Sequence, residues 1–271
     1  MLLSVAFILG ILIGSFLNVV ILRIPKDESV VFGASHCTSC GEGLKAWHNI
    51  PLFSWIFLRG KCSYCKTKIS IQYPIIELLS GLIFLLIAIK YGLSLPVLFI
   101  VLSFFMLLAL SAIDLKYKMV PDSINLLAII FAIFGDWSPA GILNNFQNAL
   151  YFAGGFTLLR FALSYYLTSK AKRYAKKTIT SWSNNYHTYP FIEAMGEGDI
   201  MVAATMGALL GVKLTLAAIF LSALLALPVM IFLMSKTKEP ITVPFIPFLA
   251  MATFIVFIFD SQVLAYIEAL Y

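Results

Sequence analysis

The sequence contains few charged residues for its length. Of its 271 residues only 12% are charged, 61% are hydrophobic, and the mean hydropathy is +0.95. An ordinary soluble domain carries about 25% charged residues, so the charges here leave too little polar surface to cover 23 Phe and 12 Tyr. This shortage excludes a soluble enzyme and predicts that lipid is the solvent for most of the chain.

Low-complexity tracts and internal repeats of fixed period are also missing from the sequence, which excludes the common repeat architectures. The net charge of +6 and the pI near 9.1 would be compatible with nucleic-acid binding. However, the cations lie mainly in loops beside apolar segments, where they set membrane topology. We therefore expect a lipid bilayer, and no nucleic acid, as the partner of the basic residues.

Eight segments approach the length of roughly 20 apolar residues that crosses a bilayer core as a helix. They are residues 2–22, 74–91, 95–113, 122–136, 146–166, 199–212, 214–234 and 242–259. The fourth and sixth segments are shorter than a full span. A short segment can be a helix that begins inside the membrane, after a loop that protein shields from lipid. The pattern predicts an all-α polytopic membrane protein with about eight transmembrane helices.

The positions of the cations predict the orientation of these helices. No cation precedes Arg23 and no small-residue cleavage site follows the first apolar run, so this segment is expected to remain as a helix. With eight helices, the loops on one side are 23–73, 114–121, 167–198 and 235–241, and they hold 7, 2, 5 and 2 of the 19 cations. The positive-inside bias then makes these loops cytoplasmic and places both termini outside.

The only cysteines are arranged as two Cys-x-x-Cys pairs in the first cytoplasmic loop: Cys37, Cys40, Cys62 and Cys65. Two such pairs offer four thiolates to one tetrahedral zinc ion. Two disulfides are the alternative, but disulfides rarely persist in a reducing cytoplasm. Because a complete set of four thiolates leaves no coordination position open, the sequence predicts a structural, zinc-ribbon-like loop that gains much of its folding energy from the metal.

Two acidic residues lie at the ends of predicted spans on the cytoplasmic side. Asp114 closes the third span, and Asp199 opens the sixth after Gly196 and Gly198. Two carboxylates held together can share one proton, so that one activates water while the other protonates a departing amine, as in aspartic proteases. The simpler alternative is a helix-end acid at Asp114 and an N-cap at Asp199. The glycines favour the first interpretation, because they let a peptide backbone approach closely.

Several motifs follow one another along the chain. They are GSFLNVVILRIP at 14–25, the double Cys-x-x-Cys loop, Tyr73-Pro74-x-x-Glu77 with Gly81, Asp114-x6-Pro121-Asp122, Gly196-x-Gly198-Asp199 and Pro244-Phe-x-Pro247-Phe. With these motifs the chain resembles the type IV prepilin peptidases, the bifunctional leader peptidases and N-methyltransferases of bacterial pilus, type II secretion and competence systems. The resemblance covers nearly the whole chain.

The resemblance implies that Asp114 and Asp199 form the catalytic pair of an inner-membrane peptidase, which removes the basic leader of a prepilin or pseudopilin at the cytoplasmic face. It also implies methylation of the new N-terminus by S-adenosylmethionine. It divides the chain into a first transmembrane helix (1–22), a methyltransferase-associated Cys-rich loop (23–73) and a membrane-embedded aspartic peptidase domain (74–271).

Three positions depart from the usual family pattern. Gln72 stands where Arg is frequent, Met201 where Lys is common, and Ile246 where Gly is usual. A cation near Asp199 would favour its ionised form, so Met201 bears on which acid holds the proton. Gln72 lies beside the loop that the family links to methyl transfer.

Glu77 is predicted to lie about one turn into the second span, where an unpaired charge is costly. It either binds the methyl donor or the substrate amine, or pairs with a loop cation. Glu197, between the two glycines, is either a solvated carboxylate or a site that captures the basic leader.

Three other functions fit parts of the pattern. A presenilin-like protease also uses a Gly-x-Gly-Asp aspartate, but typically with a Tyr-Asp partner, whereas Asp114 follows Ile113. A proton-coupled transporter would use the two acids as a relay, but two similar halves are not detectable in the sequence. A non-catalytic adaptor would bind a partner through its zinc loop and would tolerate loss of either acid.

Overall fold

The computed structural model of the chain describes residues 2–33, 35–178, 192–236 and 243–269, and the regular structure of these residues is helical. The α-helices are α1 (Leu2–Arg23), α2 (Phe53–Phe57), α3 (Gln72–Tyr91), α4 (Leu95–Tyr117), α5 (Asp122–Ile133), α6 (Pro139–Thr178), α7 (Glu197–Lys236), α8 (Ile246–Ile258) and α9 (Asp260–Ala269). The predicted all-α class is therefore confirmed.

The prediction of eight transmembrane helices is not confirmed. Among the described residues, α1, α3, α4 and α7 are long and apolar enough to cross a membrane, and α8 and α9 together make a fifth candidate that is bent by 85°. The predicted segments 199–212 and 214–234 are the two arms of α7, which breaks at Gly211 (φ 69°, ψ 178°). Helix α5 has only 12 residues.

Helix α6 differs from its predicted span at both ends. It runs from Pro139 to Thr178, so it contains the predicted span 146–166 and the beginning of the predicted loop 167–198. Polar residues in this helix, among them Asn148 and Arg160, lower its hydropathy. Residues 179–191, in the predicted loop 167–198, lie outside the described part of the chain. So do residues 237–242, which belong to the predicted loop 235–241 and the start of the predicted span 242–259.

Helices α1 and α3 pack backbone against backbone through small residues. A Cβ atom on Gly10 would lie 2.7 Å from the Ser80 carbonyl oxygen and 2.8 Å from the Gly81 Cα. One turn further along α1, a Cβ on Gly14 would lie 2.8 Å from the Glu77 Cα. Small residues at such positions let membrane helices approach closely. This packing fixes the beginning of α3, and with it the end of the Cys loop, against α1.

Helices α4 and α7 carry the two predicted catalytic acids at their ends. Helix α4 begins after Ser94, whose hydroxyl accepts a hydrogen bond from the Val97 N–H at 3.5 Å. Lys118 follows the last helical residue in the left-handed conformation (φ 53°), and its backbone N–H donates to the Asp114 carbonyl. Asp114 therefore lies in the last turn of α4. Helix α7 begins at Glu197, so Asp199 lies in its first turn.

We expect Gly10→Ala to destabilise the protein by about 1–3 kcal/mol, since the new methyl group would force two backbones apart. Thermal unfolding in detergent measures the effect. The matched control is Gly154→Ala in α6, where a Cβ meets no atom within 4 Å; there the higher helix propensity of Ala should leave stability unchanged or increase it by up to about 1 kcal/mol. Equal stability of the two variants would contradict the close approach of α1 and α3.

Candidate active site and metal centre

Asp114 is buried at the junction of α4 and α8. The residue is only 7% exposed, and its Oδ2 accepts a hydrogen bond from the backbone N–H of Ile246 at 3.2 Å. Ile246, which occupies the position where the family usually has Gly, has an ordinary φ, and its side chain is buried. Because the contact with Asp114 uses the backbone N–H, it does not depend on which side chain stands at this position.

Asp199 is half-buried, and the two glycines before it have different surroundings. Gly196 is exposed, and a Cβ there would lie 3.6 Å from Oδ2 of Asp199. A Cβ on Gly198 would lie 2.6 Å from the Cβ of Val120. Neither glycine has a positive φ. Gly196 thus leaves space beside the carboxylate, as the sequence predicted for a peptide, whereas Gly198 permits packing against the α4–α5 connection.

The two predicted catalytic acids line the same cavity, which has a volume of about 300 Å³. Its lining consists of Asp114, Lys118, Val120, Gly196, Gly198, Asp199, Val243, Pro244, Phe245 and Ile246. The structure therefore brings together two acids that are 85 residues apart in the sequence, together with the turn before α8.

Lys118 also lines this cavity, although the sequence motifs did not indicate it. The family's frequent Lys after the Gly-x-Gly-Asp motif is Met201 in this chain. The sequence signal that could have indicated Lys118 is its position four residues after Asp114, at the end of a predicted helix.

The four cysteine sulfurs lie within 4.8 Å of one another, and all four cysteines are free thiols. The Sγ atoms of Cys37 and Cys65 are 3.8 Å apart, and two thiolates bound to one tetrahedral zinc ion, with Zn–S bonds of about 2.3 Å, are separated by about 3.8 Å. The quartet could therefore hold a metal ion. The alternative of two disulfides does not match this arrangement.

Each cysteine pair lies in a tight turn with the same hydrogen bonds. Cys37 N–H donates to the Glu42 carbonyl at 2.9 Å, and Cys62 N–H donates to the Thr67 carbonyl at 2.8 Å. The Thr67 hydroxyl, 3.3 Å from the Cys65 sulfur, is the main cause that lowers the pKa of Cys65 to about 6. Since the thiolate is the form that binds metal, this hydrogen bond favours the coordinating form of Cys65.

Glu77 connects α3 to the Cys loop. The residue is 6% exposed, and its Oε2 accepts a hydrogen bond from the Leu52 backbone N–H at 2.8 Å. Leu52 precedes α2 and has a positive φ of 61°. One interpretation of the sequence was that Glu77 pairs with a cation of the loop. In the structure, the loop group that binds its carboxylate is a backbone amide. The carboxylate holds the entry to α2 close to the beginning of α3.

The fold and the site define a helical membrane protein with a pair of carboxylates in one cavity and a four-cysteine cluster in the loop between α1 and α3. Residues 8–91 match the profile of the bacterial peptidase A24 N-terminal domain, and residues 100–231 match that of the type IV leader peptidase family. No solved structure matches the chain. The chain belongs to the type IV leader peptidase family.

Several curated relatives, each named prepilin leader peptidase/N-methyltransferase, are similar over most of their length. The Xanthomonas campestris relative is 35% identical over 280 residues, which cover 94% of this chain and 90% of the relative. The Neisseria gonorrhoeae relative is 35% identical over 82% of this chain and 79% of its own length. The Pseudomonas putida relative is 31% identical over 97% and 92%, respectively.

We expect Glu77→Leu to release the Cys loop from α3, because the Leu52 amide loses its acceptor. Hydrogen exchange of a peptide covering residues 50–58 should then become about tenfold faster or more, as loss of a hydrogen bond of about 1.4 kcal/mol would produce. Glu77→Gln keeps an acceptor oxygen and is the matched control. Unchanged exchange in Glu77→Leu would contradict a role of this contact in holding the loop.

Proposed function

We propose that this chain is a prepilin leader peptidase that also N-methylates the product, acting on prepilins or pseudopilins in the bacterial inner membrane. The observation that carries the proposal is the cavity shared by Asp114 and Asp199 in a chain of the type IV leader peptidase family. Family membership does not favour a presenilin-like protease or a proton-coupled transporter.

The chemistry assigned to the cavity is hydrolysis of a peptide bond. One carboxylate removes a proton from water, and the oxygen of that water attacks the scissile carbonyl carbon. The other carboxyl group donates its proton to the departing amine. The Ile246 amide holds Asp114 from one side, while exposed Gly196 leaves room for the substrate beside Asp199. The two side chains can therefore act on a peptide that lies between α4 and α7.

The topology that we propose follows the sequence. The Cys loop and the catalytic cavity face the cytoplasm, both termini face outside, and the arms of α7 together with α5 and α6 supply the remaining spans of an eight-span bundle. The positive-inside distribution of the cations supports this orientation. The division into residues 1–22, 23–73 and 74–271 is part of the same proposal.

The four-cysteine cluster is proposed to bind zinc in a structural role, and Cys37, Cys40, Cys62 and Cys65 would be its ligands. The 3.8 Å separation of two sulfurs supports this assignment, and bound zinc would stabilise a loop with few buried residues. S-adenosylmethionine is the expected methyl donor and supplies an electrophilic methyl group to the new N-terminal amine. We place methyl transfer beside this loop and Glu77 and assign no further residue to the donor.

Asp114→Asn and Asp199→Asn should each lower prepilin cleavage at least about 100-fold, since each removes a group that transfers a proton. The assay is incubation of the purified protein with a prepilin in detergent, followed by mass spectrometry of the mature N-terminus. The same spectrum shows whether the new terminus is methylated.

Asp122→Asn is the control for loss of one negative charge near the site, because Asp122 is exposed and does not line the cavity. It should cleave at the wild-type rate. Normal cleavage by either of the other two variants would refute the assignment of the catalytic pair.

Replacement of any one of the four cysteines by Ser should release the metal and impair methylation more strongly than cleavage, since the loop is the part that loses its structure. Elemental analysis should find one zinc per wild-type chain and little in the variants. Ser63→Ala, between two ligands, is the control. A metal-free wild-type protein with full methylation activity would contradict the proposal.

A further inference from the structure

The segment before Asp199 runs along one face of α6. Arg160, Ser164 and Thr168 follow one another at intervals of four residues, so they lie on the same side of the helix, one turn apart. All three contact the segment 192–197, which leads into α7. We call these three side chains the α6 ladder.

Two members of the α6 ladder bind backbone amides of the segment. The Thr168 hydroxyl accepts a hydrogen bond from the Ile192 N–H at 3.0 Å, and the Ser164 hydroxyl accepts one from the Ala194 N–H at 3.0 Å. Both hydroxyl side chains are buried. Because the bound amides belong to alternate residues, this stretch presents one edge of its backbone to α6.

The third member binds two carboxylates. The Arg160 guanidinium lies 3.3 Å from the Glu193 carboxylate and 2.9 Å from that of Glu197. These acids flank Gly196, so one cation fixes both sides of the residue beside the Asp199 carboxylate. On the far side, the buried Asn125 donates from Nδ2 to the Gly198 carbonyl at 3.2 Å. The segment is thus held between α5 and α6.

We propose that the α6 ladder positions Asp199 against Asp114. The proposal rests on the proposed peptidase function and adds three positioning residues to it. None of the three lines the catalytic cavity, so they act through the segment and do not touch the substrate. A segment with two glycines has high conformational freedom, and a displacement of about 1 Å in a catalytic group can cost about 100-fold in rate. The ladder restricts that freedom.

The first test measures prepilin cleavage by Ser164→Ala, Thr168→Val and Arg160→Gln. Each should lower kcat about 3- to 30-fold, through loss of a hydrogen bond and looser positioning, while KM changes less than about twofold because the substrate contacts remain. The controls on the same helix are Thr157→Val, whose hydroxyl bonds only to the Ala153 carbonyl within α6, and Lys170→Gln, which removes an exposed cation. Both should keep the wild-type kcat.

A double-mutant cycle separates positioning from a general loss of stability. Glu197 has a side chain that is 80% exposed, so Glu197→Gln removes the ion pair without disturbing the packing. Glu197→Gln and Arg160→Gln should each lower kcat, and their combination should lower it by less than the product of the two effects, since both remove the same contact. Arg160→Lys should retain part of the activity, because it preserves one ion pair.

Hydrogen exchange of a peptide covering residues 192–198 tests the ladder without activity. Exchange should accelerate about tenfold in Ser164→Ala and Thr168→Val and stay unchanged in Thr157→Val, since only the first two remove an acceptor from this segment.

If the wild-type protein fails to cleave a prepilin while this pattern holds, the proposed function fails and the ladder stands as a structural contact only. Wild-type kcat in the folded ladder variants, or an equal loss in the controls, would overturn the proposal.

Discussion

A carboxylate at the edge of an apolar helix bundle must be satisfied by the protein, because little water reaches it. Asp114 illustrates this constraint: it is almost fully buried at the end of α4, and its oxygen is bound by the first amide of α8. Asp199 adds a second carboxylate to the same cavity. Acid and base catalysis by a carboxyl pair needs both groups in one cavity, because two carboxylates held close together can share one proton.

The same constraint explains how the Cys loop is attached. Glu77 lies within α3, where a free charge would be costly, and the loop amide of Leu52 satisfies it. Close packing of Gly10 and Gly14 against residues 77–81 holds this part of α3 against α1. A metal bound by the cysteines would organise the distal part of the loop, while Glu77 fixes its proximal part. The loop is thus connected to the bundle through a buried polar contact as well as through the chain.

The sequence predicted those features that depend on local pattern or on the identity of the chemical groups. The spacing of the cysteines predicted a quartet, and the sulfurs do converge; Asp114 and Asp199 were predicted to meet, and they line one cavity. The number of spans was not predictable from hydropathy alone, because α5 has only 12 residues and polar residues lower the hydropathy of α6. The predicted division between residues 212 and 214, in contrast, lies close to the break of α7 at Gly211. The contacts of Lys90 and of Arg160 were missed for a different reason. They depend on pairs of residues that are far apart in the sequence and have no spacing rule.

Helix α8 connects the end of α4 to the end of α3, because each end of α8 contacts one of these helices. Its first amide holds Asp114, and its last carbonyls, those of Phe257 and Ile258, accept hydrogen bonds from the Lys90 ammonium at 2.8 Å. Lys90 also pairs with Asp260 at the beginning of α9, so a residue of α3 fixes the end of α8 at the 85° bend. Thirteen residues of helix span about 20 Å. Although α8 lies outside both matched family ranges, it contacts both Asp114 and Lys90. The N-terminal part of the chain is thereby connected to the cavity that Asp114 and Asp199 line.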